Sequence, residues 1–210
     1  MKKSCIALIL LLFFVSFAFS AETEKTPIEG KLSESTMIRN GVAYMQIPYV
    51  IMDDIPIYND LKILESTFPP IKKIEVFCNS IGGAAYVAFS IIDLFKRAQE
   101  KFDIEIYASG TVASAAVVIF CSFDKRYAGE NTYFLVHEIR TETRQSSTMT
   151  ASDIKRMDNL YDKLTDRYVS MLANISEGKV TKEEWLNKLK EDTWFSAQEA
   201  FDWGLVTEIK

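Results

Sequence analysis

The ten residues "CNSIGGAAYV" (78–87) decide the fold, because they join an apolar run to a helical pattern through a pair of glycines. Before them, "IEVFC" (74–78) is apolar on both faces, as a central parallel strand is. After them, "GAAYVAFSIIDLFKRAQ" (83–99) repeats apolar residues at helical spacing. Gly82 and Gly83 at such a turn indicate unusual backbone angles or a close approach to another group. That group is a phosphate, a neighbouring helix or a reacting carbonyl, and the choice among them decides the function.

The same alternation of strand and helix continues on both sides of this turn. The sequence predicts further strands at 42–48, 104–108 and 132–137, and helices at 57–68 and 112–123. Strands and helices that alternate at these spacings favour right-handed crossovers. We therefore expect an α/β fold with a mainly parallel sheet.

A long helix follows the core strands. A polar stretch rich in Ser and Thr (141–152) leads into an amphipathic pattern at 153–174, for which Thr150 is the expected N-cap with Asp153 three residues later. A helix of this length, placed after the core strands, is expected to project from the domain or to pack against another subunit. A shorter helix near 181–190 and a helix, a glycine stop and a last strand within 196–209 complete the chain.

The amino terminus has the pattern of a secretory signal. Lys2 and Lys3 form a positive start, Ile6 to Phe17 an apolar run, and Ala18-Phe19-Ser20 a site with small residues for cleavage. We expect a signal peptide over residues 1–20 and export to the periplasm or the medium. An uncleaved segment that anchors the protein in a membrane is the alternative.

The rest of the chain divides into a flexible leader (21–40) and one folded domain (41–210). The formal net charge of −5 and the lack of a basic cluster argue against a nucleic-acid partner. Cys78 and Cys121 lie in apolar stretches, which favours buried free thiols over a disulfide. One histidine and two cysteines beyond the signal cannot supply a usual zinc site, so neither a metal nor another cofactor is expected.

Two side chains could carry acid–base and nucleophilic chemistry. His137 ends the strand "YFLV", at the edge where a parallel sheet usually places functional groups, although an ordinary edge histidine is the simpler interpretation. Ser114 begins an apolar helix among small residues, with backbone N–H groups directed outward, although an N-cap or packing serine is commoner. The G-x-S-x-G motif of the α/β-hydrolases is absent. The order Gly-Gly, Ser and His at successive strand ends is more specific than any one of these pieces.

The motifs "CNSIGG", "ASGTVASAA", "YFLVH" and "TWFSAQEAFDWGLVTEI" together resemble the proteolytic subunit of the Clp protease, of the ClpP/crotonase superfamily. The resemblance covers about residues 40–210. It implies a core of repeated β-β-α units with a mainly parallel sheet and a projecting long helix. That helix and the stretch before it, about 140–174, look like the handle through which this family packs two rings face to face.

Carried over by position, the resemblance implies a serine endopeptidase that acts on peptides or unfolded proteins as a homo-oligomeric ring. Ser114 would be the nucleophile and His137 the base. The backbone N–H groups of Gly82, Gly83 and Ala115 would form the oxyanion hole.

The third member of the family's triad is missing from its usual place. The family has an Asp eight residues before the serine that corresponds to Ser196, and here that position is Lys188. Asp192, Asn187 and Glu184 are close enough in sequence to orient the histidine, and Asp192 is the expected choice. A histidine without this carboxylate still catalyses, but more slowly, because nothing stabilises the imidazolium.

Two further interpretations remain beside the peptidase. A catalytically inactive scaffold or peptide-binding ring could keep the Ser and His geometry without the acid. A crotonase-type enzyme acting on acyl thioesters shares the fold but has no need for Ser and His at these positions. An exported chain would also meet no ATP-driven unfoldase, so no ATPase partner is expected outside the cytoplasm.

Overall fold

The computed structural model describes residues 30–67, 70–140 and 150–210. The predicted signal peptide, most of the predicted leader and the first part of the predicted handle lie outside the described residues. Among the helices within these ranges, none combines the length and the apolar character that a membrane span requires.

The order of elements in this part of the chain follows the predicted alternation of strands and helices. The strands are β1 (Thr36–Arg39), β2 (Val42–Gln46), β3 (Lys73–Ser80), β4 (Asp103–Ala113), β5 (Lys125–Ala128), β6 (Tyr133–Val136), β7 (Thr193–Ser196) and β8 (Glu208–Ile209). The helices are α1 (Ile55–Ser66), α2 (Ala85–Gln99), α3 (Ala115–Cys121), α4 (Ala151–Ile175), α5 (Lys182–Lys190) and α6 (Ala197–Asp202).

The strands form one sheet in the order β1-β2-β3-β4-β5-β8, with β6 added to β4 and β7 to β6. The β1–β2 and β6–β7 pairs are antiparallel and the other pairs are parallel. This arrangement confirms the predicted α/β fold with a mainly parallel sheet, two cysteines buried as free thiols, and a long helix after the core strands.

The sheet branches at β4. The first half of this strand pairs with β5 through Glu105–Ala108, and the second half pairs with β6 through Thr111–Ala113. The register between β3 and β4 shifts near the branch, where the Thr111 N–H donates to the Asn79 Oδ1 at 3.1 Å. Because of the branch, the carboxyl end of β4 continues past its pairing with β5 and ends directly before Ser114.

An aromatic stack joins the second branch of the sheet to the helices. The ring centroids of Phe120 on α3 and Phe134 on β6 are 5.4 Å apart, and Phe134 stacks on Phe195 of β7 at the same distance. Trp185 on α5 lies 6.3 Å from Phe195. Buried aromatic pairs contribute about 0.5–1.5 kcal/mol each beyond their buried area. The stack therefore packs β6, the strand that precedes His137, against α3 and β7.

Three short strands were not predicted. β1 lies within the predicted leader, and it forms because Asn40 and Gly41, with φ of 52° and 77°, make a tight turn that pairs it with β2. Residues 36–39 are therefore part of the sheet and not of the flexible leader that the sequence predicts. β5 and β7 have four residues each, too few for a clear alternation of apolar and polar side chains, and their pairing with distant strands defines them.

α4 begins where the sequence predicts. The Asp153 N–H donates to the Thr150 Oγ1 at 3.1 Å, and the Thr150 N–H donates to the Asp153 Oδ2 at 2.9 Å, which completes a capping box. The buried residues of this helix are Tyr168, Val169 and Leu172, all in its last third, whereas Ile154 and Leu160 in its first half are about half exposed. The helix is therefore attached to the domain at its C-terminal end.

Candidate active site

Ser114 stands at a strained turn between β4 and α3. Its φ of 56° and ψ of −129° lie in a region that non-glycine residues rarely adopt. Contacts on both sides hold the turn: the Ser114 N–H donates to the Leu135 carbonyl at 2.8 Å, and the Ser114 carbonyl accepts from the Val117 N–H at 3.0 Å and from the Tyr168 hydroxyl at 2.9 Å. The Ser114 side chain makes no capping hydrogen bond to α3. Its hydroxyl is thus available to a substrate.

One cavity of about 280 Å³ brings Ser114 and His137 together. Ser114 enters it from the start of α3, and His137 from the residue after β6. The other side chains at its wall come from α2, the segment after His137 and α4, among them Tyr86, Arg140 and Tyr161. The predicted nucleophile and the predicted base therefore face the same space.

The ring of His137 is oriented by the main chain. Its Nδ1 lies 2.6 Å from the carbonyl oxygen of Glu138. Because a carbonyl oxygen only accepts, this contact assigns the hydrogen to Nδ1 and leaves Nε2 unprotonated in the neutral ring. That tautomer is the one a general base requires.

Gly82 lies directly beneath the turn that carries Ser114. Its φ is 87°, and a Cβ placed on it would lie 2.6 Å from the Ala113 carbonyl oxygen, 2.7 Å from the Ser114 Cβ and 2.9 Å from the Ala115 nitrogen. Its own N–H donates to the Ser80 Oγ at 3.2 Å. The group that approaches Gly82 is therefore the backbone of the serine turn. Because the Gly82 N–H already donates to Ser80, it is not the free oxyanion donor that the sequence predicts.

Gly83 is exposed and lines the cavity. A parallel bridge holds it: the Ile51 N–H donates to the Gly82 carbonyl and the Ala84 N–H to the Ile51 carbonyl, both at 2.8 Å. A Cβ on Gly83 would lie 2.1 Å from the Ile51 carbonyl oxygen. Among the described residues the Gly83 N–H has no acceptor, and neither has that of Ala115, the first residue of α3. These two N–H groups are the available donors.

Asp192 lies near His137 but its carboxylate pairs with another residue. The ladder between β6 and β7 ends at Val136 and Thr193, so that His137 directly follows one strand and Asp192 directly precedes the other. Its carboxylate forms an ion pair with the Arg140 guanidinium, and both side chains are more than half exposed. In the ranges that the structure covers, no carboxylate forms an ion pair with His137.

The other candidates for the third position lie elsewhere. Glu184, Asn187 and Lys188 line a separate cavity of about 290 Å³ on α5. The Lys188 ammonium lies 4.2 Å from the centroid of the Trp203 ring. Glu184 caps α5, where the N–H and hydroxyl of Thr181 donate to its carboxylate and lower its pKa. These side chains thus lie in a different cavity from the one that holds Ser114.

Sequence reasoning missed the contacts that Tyr168 and Arg140 make at this site. Tyr168 belongs to the apolar stripe of the predicted long helix, and its hydroxyl becomes relevant only when that helix is docked against α3. Arg140 has no sequence signal of its own, since its partner Asp192 is distant in the chain.

Comparisons with known proteins agree with this geometry. Residues 43–210 match the family described as Clp protease. The chain belongs to the Clp protease family. It is 31% identical over 183 residues to an ATP-dependent Clp protease proteolytic subunit 2 from Frankia casuarinae, covering 83% of this chain and 77% of that protein. A subunit of the same description from Treponema denticola is 26% identical over 155 residues, covering 73% of each chain.

A solved structure supports the same fold. A mutant of ClpP1 from Listeria monocytogenes superimposes with a TM-score of 0.66 at 24% identity, covering 80% of this chain and 90% of that one. The fold is therefore ClpP-like, and membership of the family supports a peptidase.

Proposed function

We propose that this protein is a serine endopeptidase that works through Ser114 and His137 as a dyad. The feature that carries the proposal is the cavity in which the strained serine turn, the histidine and two unoccupied backbone N–H groups meet. A serine held at an unfavourable φ, with its side chain free of capping contacts, fits a nucleophile better than a packing residue.

In the proposed reaction, the Ser114 Oγ attacks the carbonyl carbon of a peptide bond and its proton passes to the His137 Nε2. The oxyanion that forms accepts hydrogen bonds from the Gly83 and Ala115 N–H groups. His137 then donates the proton to the departing amine, leaving an acyl-serine that water hydrolyses by the same steps. No metal or cofactor takes part.

The Glu138 carbonyl takes the orienting role that a carboxylate has in a full triad. A carbonyl can hold the ring and its tautomer, but it stabilises the imidazolium less than a carboxylate does. In a full triad, replacing the aspartate by its amide lowers kcat by about 10⁴. We therefore expect a slow peptidase.

Labelling with a fluorophosphonate tests the proposal, because the reagent requires an activated serine. The wild type should label at one serine, Ser114→Ala should not label, and His137→Ala should label at least about 10²-fold more slowly. Ser122→Ala is the matched control: Ser122 ends α3, its hydroxyl donates to the Ile119 carbonyl at 2.7 Å, and its loss should leave labelling unchanged.

A folded wild type that neither labels nor cleaves would contradict the proposal. The alternative is then an inactive scaffold or peptide-binding ring, which the ion pair of Asp192 with Arg140 and the lysine at position 188 would explain. A peptide that binds without being cleaved would identify that case.

Export and assembly belong to the same proposal. The pattern of residues 1–20 supports export, so we expect a mature chain that begins at Ala21. We expect this chain to act on peptides or unfolded proteins without an ATPase partner, and to form a homo-oligomeric ring. Amino-terminal sequencing of protein from the cell envelope and the medium tests the cleavage. Sedimentation of the purified protein tests the ring. Protein that retains Met1 in the cytoplasm would contradict export.

A further inference from the structure

The carbonyl of Ser114 and the N–H of Ala115 belong to one peptide group. This group is planar and trans, so the two bonds point in opposite directions and rotate together. Whatever holds the Ser114 carbonyl therefore also fixes the direction of the Ala115 N–H. That N–H is one of the two available donors of the site.

Two donors hold the Ser114 carbonyl. The Val117 N–H, at 3.0 Å, belongs to the first turn of α3 and moves with the same helix. The Tyr168 hydroxyl, at 2.9 Å, comes from α4 and is anchored outside the turn. Because the backbone at Ser114 is unfavourable by itself, it relies on such outside support to keep its conformation.

Tyr168 is suited to this role. Its side chain is only 4% exposed and lies in the anchored third of α4, beside Val169 and Leu172. Burial raises the pKa of Tyr168 well above its ordinary value, so its hydroxyl stays protonated and remains a donor. A phenylalanine would fill nearly the same space, and the hydrogen bond is what the tyrosine adds.

We infer that Tyr168 is a positioning residue of the reaction: by holding the Ser114 carbonyl, its hydroxyl directs the Ala115 N–H at the oxyanion. This inference rests on the proposed function. It also gives α4 a contact with the catalytic turn itself.

The test compares Tyr168→Phe with the wild type in steady-state hydrolysis of a peptide and in inhibition by a peptide aldehyde. Losing one hydrogen bond should lower kcat by about 3- to 10-fold and leave KM within about twofold, because the oxyanion forms only after the substrate binds. The aldehyde forms a tetrahedral adduct with the serine, so its affinity should fall by a similar factor.

Val169→Ala is the matched control. It shortens a buried side chain next to Tyr168 on α4 and leaves the hydroxyl in place. This variant should unfold at a lower denaturant concentration than the wild type and keep the wild-type kcat.

Each remaining outcome would overturn the inference. If Tyr168→Phe keeps the wild-type kcat and aldehyde affinity in an active enzyme, Tyr168 is not a positioning residue, and the proposed function still stands. If both variants lose kcat alike, the role of Tyr168 is structural. If the wild type neither cleaves nor labels, the proposed function fails and the inference fails with it.

Discussion

The packing of Gly82 against the serine turn allows a prediction with an internal control. Gly82 and Gly178 have nearly the same backbone angle, with φ of 87° and 84°. A Cβ at Gly82 would meet three atoms of the serine turn at 2.6 to 2.9 Å, whereas one at Gly178 would meet nothing within 4 Å. Replacing either by alanine therefore puts a side chain at nearly the same positive φ, and only Gly82→Ala adds a steric clash.

The expected sizes follow from these distances. A side chain in the left-handed region costs about 1–2 kcal/mol at either position. Overpacking at Gly82 adds about 1–3 kcal/mol, because backbone and Cβ atoms of the turn must shift. Gly82→Ala should thus lower the free energy of unfolding by about 1–3 kcal/mol more than Gly178→Ala. The shift also moves the Ala115 N–H, and loss of one oxyanion donor lowers kcat by about 10²-fold or more.

Denaturant unfolding at one protein concentration measures the first effect, and peptide hydrolysis by the folded variant measures the second. Gly178→Ala should retain the activity of the wild type. Equal unfolding midpoints for the two variants, together with full activity of Gly82→Ala, would refute the role assigned to Gly82.

Three other predictions follow from the contacts described above. Asp192→Asn should change kcat by less than about threefold, because its carboxylate pairs with Arg140; a loss near the 10⁴-fold effect in a full triad would show that it orients the histidine during turnover. Burial raises the pKa of Cys78 and of Cys121 to about 12, so a disulfide reagent at about pH 8 should modify neither thiol in the folded protein. Mass spectrometry that finds either cysteine modified would contradict their burial. Hydrogen bonds from the N-cap of α6 lower the pKa of Glu199 below its ordinary value of 4.5, so the charged carboxylate stabilises the fold fully above about pH 4.5 and stops doing so as the pH falls through the lower folded pKa. Glu199→Gln should therefore have a lower free energy of unfolding than the wild type at neutral pH. A difference in that free energy that stays the same in acid would contradict this prediction.

The sequence predicted those elements whose pattern is local. The strand-glycine-helix unit around Gly82, the N-cap at Thr150 and the buried thiols each depend on neighbours in the chain, and the structure has all of them. The branch of β4, by contrast, depends on pairing with strands that are distant in sequence, and no local pattern encodes it. The same limit explains why β5 and β7 were missed.

At the site, the sequence identified residue types but not their partners. It brought Ser114 and His137 to one edge of the sheet, and the structure has both on one cavity. It could not show that the Gly82 N–H is taken by a side chain, nor that Asp192 faces a guanidinium. Such assignments depend on side-chain directions within distances of a few ångströms, which spacing along the chain does not fix.

The attachment of α4 by its last third makes the helix a lever. At 1.5 Å per residue, the tip at Ala151 stands about 25 Å from the fulcrum at Tyr168. A tilt of about 10° around that point would carry the tip by about 4 Å, while atoms next to the fulcrum would move by tenths of an ångström. A partner that binds the outer end of α4 therefore needs to move it by several ångströms to shift the Tyr168 hydroxyl by a fraction of one, and that hydroxyl holds the Ser114 carbonyl.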